Sequence, residues 1–326
     1  MKKIILSIIG VLVVLIAGLI IYVLATWNRN YEAPLPDIKA SNDSTIIARG
    51  KYLAFGPAHC STCHIPMDML LKVENGLEIP LSGGWELSLP LGTFRAPNLT
   101  PHMETGIGKF TDAEIARTLR YSVSHDNKFV FPFMPFQGLS DYDLTALISF
   151  LRSQEAVNNN VKRTEYEFLG KALLAFEVVK PVAPINDPPK IVIKDSTIKY
   201  GLYIANNVAN CIGCHTERDL KSGAFIGPDF AGGMNFEPDA FSKGYAFVSP
   251  NLTPDKETGI MAEWNEETFI TKFQQGRLLD ETPMPWGAYS RMDEIELKAL
   301  YRYFMSLDPV KRKVEKTIYL PGEELP

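Results

Sequence analysis

The apolar positions of this chain fall into one long uninterrupted run followed by many short periodic ones. From Ile4 to Trp27 there are 24 residues without a charge, broken only by Ser7, Thr26 and a few glycines. As a helix rising about 1.5 Å per residue this run reaches roughly 36 Å, more than the ~30 Å hydrocarbon layer of a bilayer. Residues 1–28 are therefore expected to form an uncleaved transmembrane anchor, with Tyr22 and Trp27 at the interface. A cleaved signal peptide is the competing reading, but its apolar core normally spans ~7–15 residues and ends at a small-residue site. Lys2 and Lys3 place the N-terminus in the cytoplasm and everything after Trp27 on the periplasmic side.

Beyond the anchor the apolar residues recur at helical spacing. Leu144, Leu147, Phe150 and Leu151 mark a helix from Asp141 to Arg152, and Leu297, Leu300, Tyr303 and Phe304 mark one from Asp293 to Ser306. Ser44 or Thr45 can cap a helix running through Tyr52, and Thr111 with Glu114 has capping-box spacing. Asn265 followed by Glu266 and Glu267 signals the corresponding start later on. A further helix is expected over 164–179, capped by Thr164 and Glu167. Its Tyr166, Leu169, Leu173 and Phe176 share a face that should pack between two domains. No stretch alternates long enough to predict a sheet. The Gly- and Pro-rich loops Pro80 to Pro101 and Gly223 to Pro254 are long for a compact domain, unless something large fills its centre.

The helical segments belong to a repeat with a period of about 150 residues. Gly50-Lys51-Tyr52 answers to Gly201-Leu202-Tyr203, and Cys60-Ser61-Thr62-Cys63-His64 to Cys211-Ile212-Gly213-Cys214-His215. Pro97-Asn98-Leu99-Thr100-Pro101 recurs as Pro250-Asn251-Leu252-Thr253-Pro254, Met134-Pro135 as Met284-Pro285, and Leu144-Thr145-Ala146-Leu147 as Leu297-Lys298-Ala299-Leu300. Matched order over five blocks implies two copies of one domain, over 44–155 and 193–310. A linker spans 156–192 and a tail 311–326. Gly50 and Gly201 lie inside helices at a cost of about 1 kcal/mol each against alanine. Close crossing by the terminal helix, with Phe150 and Tyr303 resting there, would explain them.

The chemistry sits in the two Cys-x-x-Cys-His runs. Two thiols one turn apart beside an imidazole suit thioether attachment of a haem whose iron takes the histidine. Zinc would want a second Cys or His pair roughly 12–20 residues away, and thioredoxin-like chemistry needs a βαβ surround. The pairs here are 151 residues apart in a helical setting. Cys60 and Cys63 are thus assigned to one haem and Cys211 and Cys214 to another, with His64 and His215 on the irons. Met134 lies 70 residues after His64 and Met284 lies 69 after His215, which makes them the expected sixth ligands. His59, His102 and His125 are rivals in the first copy. A thioether ligand raises the potential and leaves no open position, so the haems would carry electrons only. For Asn98, Thr100, Asn251 and Thr253 two readings stand: turns that stop a loop, or groups holding the haem edge.

Composition narrows the function further. In 326 residues there are 46% hydrophobic and 22% charged positions, as in a folded chain, and a formal charge of −5 that offers no basic field to nucleic acid. Setting aside Lys2 and Lys3 leaves 31 basic against 38 acidic residues, a formal −7 outside the membrane.

These residues resemble the class I cytochrome c family: a helix-borne Gly-x-Tyr, Cys-x-x-Cys-His, a distal Met and a closing helix with Leu-x-Ala-Leu. More narrowly, Pro-Asn-Leu-Thr-Pro-x-x-Glu-Thr-Gly-Ile and Met-Pro resemble the multihaem cytochrome c subunits of membrane-bound alcohol-type periplasmic dehydrogenases. The resemblance covers about residues 44–154 and 194–307. It implies an all-α fold of two tandem class I cytochrome c domains after an N-terminal transmembrane helix, carrying two covalently bound haem c groups. Those subunits often hold three haems, and here two motifs and an anchor are found. The expected role is not enzymatic. It is electron transfer between a periplasmic dehydrogenase or quinol-oxidising complex and a terminal acceptor, an oxidase or a soluble cytochrome. A dihaem peroxidase is the alternative if one haem lacks its Met ligand. With only 16 residues between Trp27 and Ser44, a tether of at most about 55 Å keeps the first haem near the membrane.

Overall fold

The computed structural model describes residues 1–134, 136–219, 223–239 and 241–326. It opens on α1 (Lys2–Thr26), the one helix among the described residues long and apolar enough to cross a membrane, with a mean hydropathy of 3.3. The first half then holds α2 (Ser44–Phe55), α3 (Leu70–Glu74), β1 (Glu86–Leu89), β2 (Gly92–Arg95), α4 (Asp112–Tyr121) and α5 (Asp141–Ser153). β3 (Glu165–Tyr166) and α6 (Phe168–Ala175) connect it to the second half. There follow α7 (Ile198–Tyr203), α8 (Cys211–His215), β4 (Asn235–Phe236), β5 (Ala246–Val248), α9 (Glu266–Gln274), α10 (Trp286–Tyr289), α11 (Glu294–Met305) and β6 (Ile318–Tyr319).

The protein is mostly helical, and the local signals for its helices act as expected at several ends. Thr111 Oγ1 accepts from Glu114 N at 3.2 Å while Glu114 accepts from Thr111 N at 2.7 Å, closing the capping box of α4. Asn265 caps α9 by accepting from Thr268 N at 2.8 Å. At α2 the cap is Asp43, and neither Ser44 nor Thr45. Asp43 accepts from Thr45 N at 2.7 Å, and its charge meets the positive end of the helix.

The terminal helix crosses the opening helix of each half at glycine. A Cβ on Gly50 would lie 1.8 Å from Ala146 O and 2.8 Å from Phe150 Cβ, and one on Gly201 would lie 2.0 Å from Ala299 O and 2.7 Å from Tyr303 Cβ. Gly50→Ala would gain about 1 kcal/mol of helix propensity. It must also push α5 off a backbone oxygen, an overpacking cost of ~1–3 kcal/mol at such sites. We expect a net loss of stability in denaturant titration; a gain would mean that the helices part without cost.

Four expectations need correction. Short sheets exist: β1 pairs antiparallel with β2, which pairs with β3, and β4 pairs with β5, which pairs with β6. Strands of two to four residues are too short for alternation to register, and their third strands come from far along the chain. The helix expected over 164–179 is confined to Phe168–Ala175, because Glu165 and Tyr166 are drawn into β3 and Thr164 Oγ1 accepts from Arg95 N at 3.2 Å. Its partner is the end of α1 and not the second half. Phe176 meets Tyr22 at 5.3 Å and Arg29 donates to Ala175 O at 2.7 Å. The segment after α1 is likewise no free tether. Tyr31 N donates to Asn127 O at 2.9 Å, Ile38 is buried, and Ala40 N donates to Asp112 at 2.8 Å.

The halves meet through a buried polar cluster at the starts of α5 and α11. Tyr203 donates to Asp143 at 2.7 Å and accepts from Ser140 N at 3.0 Å; in mirror fashion Tyr52 donates to Glu296 and accepts from Asp293 N at 2.9 Å. Tyr200 donates to Glu296 at 2.8 Å and Arg49 donates to Asp143 at 2.9 Å. Burial, reinforced by these carboxylates, holds all three tyrosines far into the protonated form.

Candidate functional site

Both Cys-x-x-Cys-His motifs form one tight turn entered through a left-handed residue, His59 at φ 40° and Asn210 at φ 54°. The turn carries each histidine inward, to 6% exposure at His64 and 8% at His215. There His64 Nδ1 bonds the Pro97 carbonyl at 2.9 Å, and His215 Nδ1 bonds the Pro250 carbonyl at 3.1 Å. Since a carbonyl can only accept, Nδ1 holds the proton and Nε2 keeps its lone pair. Burial depresses both imidazoles, His215 to about 4, against a smaller opposing contribution from the proline carbonyl. At neutral pH both are neutral imidazoles with a fixed tautomer, the arrangement that would orient a metal-binding histidine.

The Pro97 and Pro250 carbonyls carry no side-chain signal in the sequence, although the repeated Pro-Asn-Leu-Thr-Pro block marks where they lie. The loops are drawn close by glycines. Gly83 N donates to His64 O at 2.9 Å and Gly232 N to His215 O at 2.8 Å. With φ of 75° and 71°, a Cβ on either would fall 2.5 Å from the proline carbonyl carbon. Of the two readings of the asparagines and threonines, the geometry shows the turn. Asn98 Oδ1 accepts from Thr100 N at 2.9 Å and Asn98 Nδ2 donates to Val157 O at 2.8 Å, tying down the chain after α5. Asn251 repeats this with Thr253 and Val310.

No disulfide joins the thiols; desolvation pushes the half-buried Cys60, Cys63 and Cys211 up to about 12, whereas Cys214 is exposed. A thioredoxin-like pair needs the opposite, a thiol lowered toward neutral pH. Among the described residues no three His, Cys, Asp or Glu side chains converge as a zinc site would require.

Met134 and Met284 are half-buried against the same apolar core on which Cys60 and Cys211 pack. Pro135 lies outside the described residues; Pro285 caps α10. The rival histidines each make contacts within their own loops. His59 Nδ1 is 3.1 Å from Pro57 O, the His102 ring nitrogen accepts from Thr105 N at 3.2 Å, and His125 stacks on Phe110 at 3.8 Å. His59 also meets Tyr289 edge-on at 5.5 Å, and the Tyr289 hydroxyl donates to Ala209 O at 2.5 Å. Tyr289 therefore joins the residue before Cys60 to the segment just before Cys211. The donor set at each motif, a buried neutral imidazole beside two thiols, fits a covalently attached haem.

Known proteins point the same way. No family model matches the sequence. The chain is 27% identical over 287 residues to the cytochrome c subunit of alcohol dehydrogenase (quinone) from Gluconobacter oxydans, covering 82% of this chain and 56% of the relative. It is 25% identical over 256 residues to the fructose dehydrogenase cytochrome subunit of Gluconobacter japonicus, covering 75% of this chain and 48% of the relative. A diheme cytochrome c-type protein of Cereibacter sphaeroides is 26% identical over 243 residues, covering 72% of this chain and 77% of the relative. The chain thus spans about half the length of the two dehydrogenase subunits. These relatives are cytochrome subunits of dehydrogenases and a diheme cytochrome c-type protein.

Proposed function

We propose that this chain, whose homologues are cytochrome c subunits, is a membrane-anchored dihaem electron carrier built of two class I cytochrome c domains. It would relay electrons between a periplasmic dehydrogenase or quinol-oxidising complex and a terminal oxidase or soluble cytochrome. Cys60 and Cys63 would hold one haem with His64 and Met134 on its iron, and Cys211 and Cys214 the other with His215 and Met284. The observation that carries this reading is the pair of buried imidazoles, each aimed by a proline carbonyl at an equivalent place in the repeat.

Haem iron supplies a one-electron couple, whose potential a thioether ligand raises. The chain's own residues do the rest. The Pro97 and Pro250 carbonyls hold each imidazole in the tautomer that leaves Nε2 free, and the apolar core keeps water away. The matching places of the two methionines, 70 and 69 residues after the histidines, support saturated irons over the open position a peroxidase needs. Tyr289 and His59 connect the two attachment turns, which favours electron passage within the chain. The contacts of α1 and residues 31–41 with the first half favour a membrane partner for that domain and a soluble one for the second. The formal −7 of the exported part favours a basic face on the soluble partner and association that weakens with salt.

The test is the holoprotein's mass, expected at two haems above the polypeptide, with haem stain surviving denaturation and a methionine-to-iron charge-transfer band in the ferric spectrum. Stain that washes out on denaturation would overturn the reading.

A further inference from the structure

One buried carboxylate touches both candidate sites. Glu74, at the end of α3, and Arg277, after α9, form an ion pair at 3.2 Å in which each side chain is only 3% exposed. Besides Glu74, the guanidinium donates to its own loop: to Thr282 O at 2.6 Å, to Asp280 O at 3.2 Å and to Met284 O at 3.1 Å. On the other side of Met284, Gly287 N donates to the same Glu74 oxygen at 2.6 Å. Only glycine fits there, since a Cβ would come within 2.3 Å of Glu74 O. The second carboxylate oxygen of Glu74 accepts from Thr62 at 3.5 Å, between Cys60 and Cys63. Glu74 Oε2 thus holds both flanks of Met284, while Oε1 rests on the attachment turn of the other half.

The repeat does not contain this device twice. The residues that correspond to Glu74 after the second motif, Phe225 to Gly227, carry no charge, and those that correspond to Arg277 after α4 are Val123 and Ser124. A burial cost for two charges is met here by five hydrogen bonds, so the pair is tolerated where an unsatisfied one would not be. Its donors and acceptors are aimed at the Met284 loop.

We infer that Glu74 and Arg277 are positioning residues for Met284, so that ligation of the second haem depends on a side chain of the first half. This rests on Met284 being the iron ligand proposed above. Because a methionine thioether is a weak ligand held by the loop that carries it, freeing the loop should release it and lower that haem's potential.

The experiment uses the full-length holoprotein. Glu74→Gln is expected to keep two covalent haems while losing the charge-transfer band of one and lowering one of the two midpoint potentials. Should Glu74→Gln fail to fold, Glu74→Gln with Arg277→Met leaves no unpaired buried charge and carries the same expectation. Met284→Ala is the reference. If it leaves both bands intact, the ligand assignment falls and the clamp with it. If Met284→Ala removes one band while the folded Glu74 and Arg277 variants keep both bands and both potentials, the clamp alone is refuted.

Discussion

Cys211→Ala should yield a protein lighter by one haem, whose second half is cleaved rapidly by protease while the first half persists. The reason lies in what the second half has to build on. Among the described residues between α8 and α9 there are only the two-residue β4 and the three-residue β5, joined by long loops. Those loops converge on His215 through Gly232 and the Pro250 carbonyl. A group that binds only the folded state contributes about 4 kcal/mol at a thousandfold excess over its dissociation constant. A covalently held one is never diluted away, and total stability is only ~5–15 kcal/mol. Losing it should therefore unfold the half outright. Intact-mass and limited-proteolysis measurements on Cys211→Ala and Cys60→Ala decide the matter. A one-haem product that resists protease throughout would mean that each half is held by its helices alone.

What could be read from the sequence was whatever a short stretch determines by itself. Thr111 and Glu114 satisfy each other within one turn, and the helix-interior glycines Gly50 and Gly201 announced the close crossing by Phe150 and Tyr303 that the structure contains. The two tight Cys-x-x-Cys-His turns were legible for the same reason. Features that need a partner far along the chain were not. β3 exists because β2 offers it an edge, and that edge shortened the helix expected over 164–179. Asp43 displaced Ser44 and Thr45 as a cap because its carboxylate reaches two free amides, a choice that spacing cannot make among three adjacent polar residues. The asparagines of the repeated loop drew attention by their side chains, whereas the group that reaches the imidazole is the backbone carbonyl of the neighbouring proline. Tyr289, Glu74 and Arg277 carry no local signal, since each acquires its role only when the halves dock.

Docking itself should fail most severely at Glu296. Its side chain is fully buried and accepts from the Tyr52 and Tyr200 hydroxyls, with Arg49 at 3.3 Å and Lys194 at 3.9 Å. Leucine fills a similar volume but accepts nothing. Glu296→Leu would strand two buried hydroxyls and take from Arg49 one of its two carboxylates, leaving only Asp143. Removing one partner from a buried charged cluster costs ~3–5 kcal/mol, and each orphaned buried donor adds about 1–3 kcal/mol where it cannot reach water. We expect denaturant unfolding to shift by at least the lower of these figures and to split into two steps, as the halves lose their shared cluster before their own cores. Glu296→Gln separates the causes. An amide oxygen still accepts from a tyrosine, so a small loss with glutamine and a large one with leucine assigns the cost to hydrogen bonding. Equal losses assign it to the missing charge beside Arg49 and Lys194 together with the one acceptor oxygen that the amide lacks. A shift below about 1 kcal/mol for leucine, the scale of an exposed ion pair, would show that water reaches the tyrosines and that the halves are not locked there.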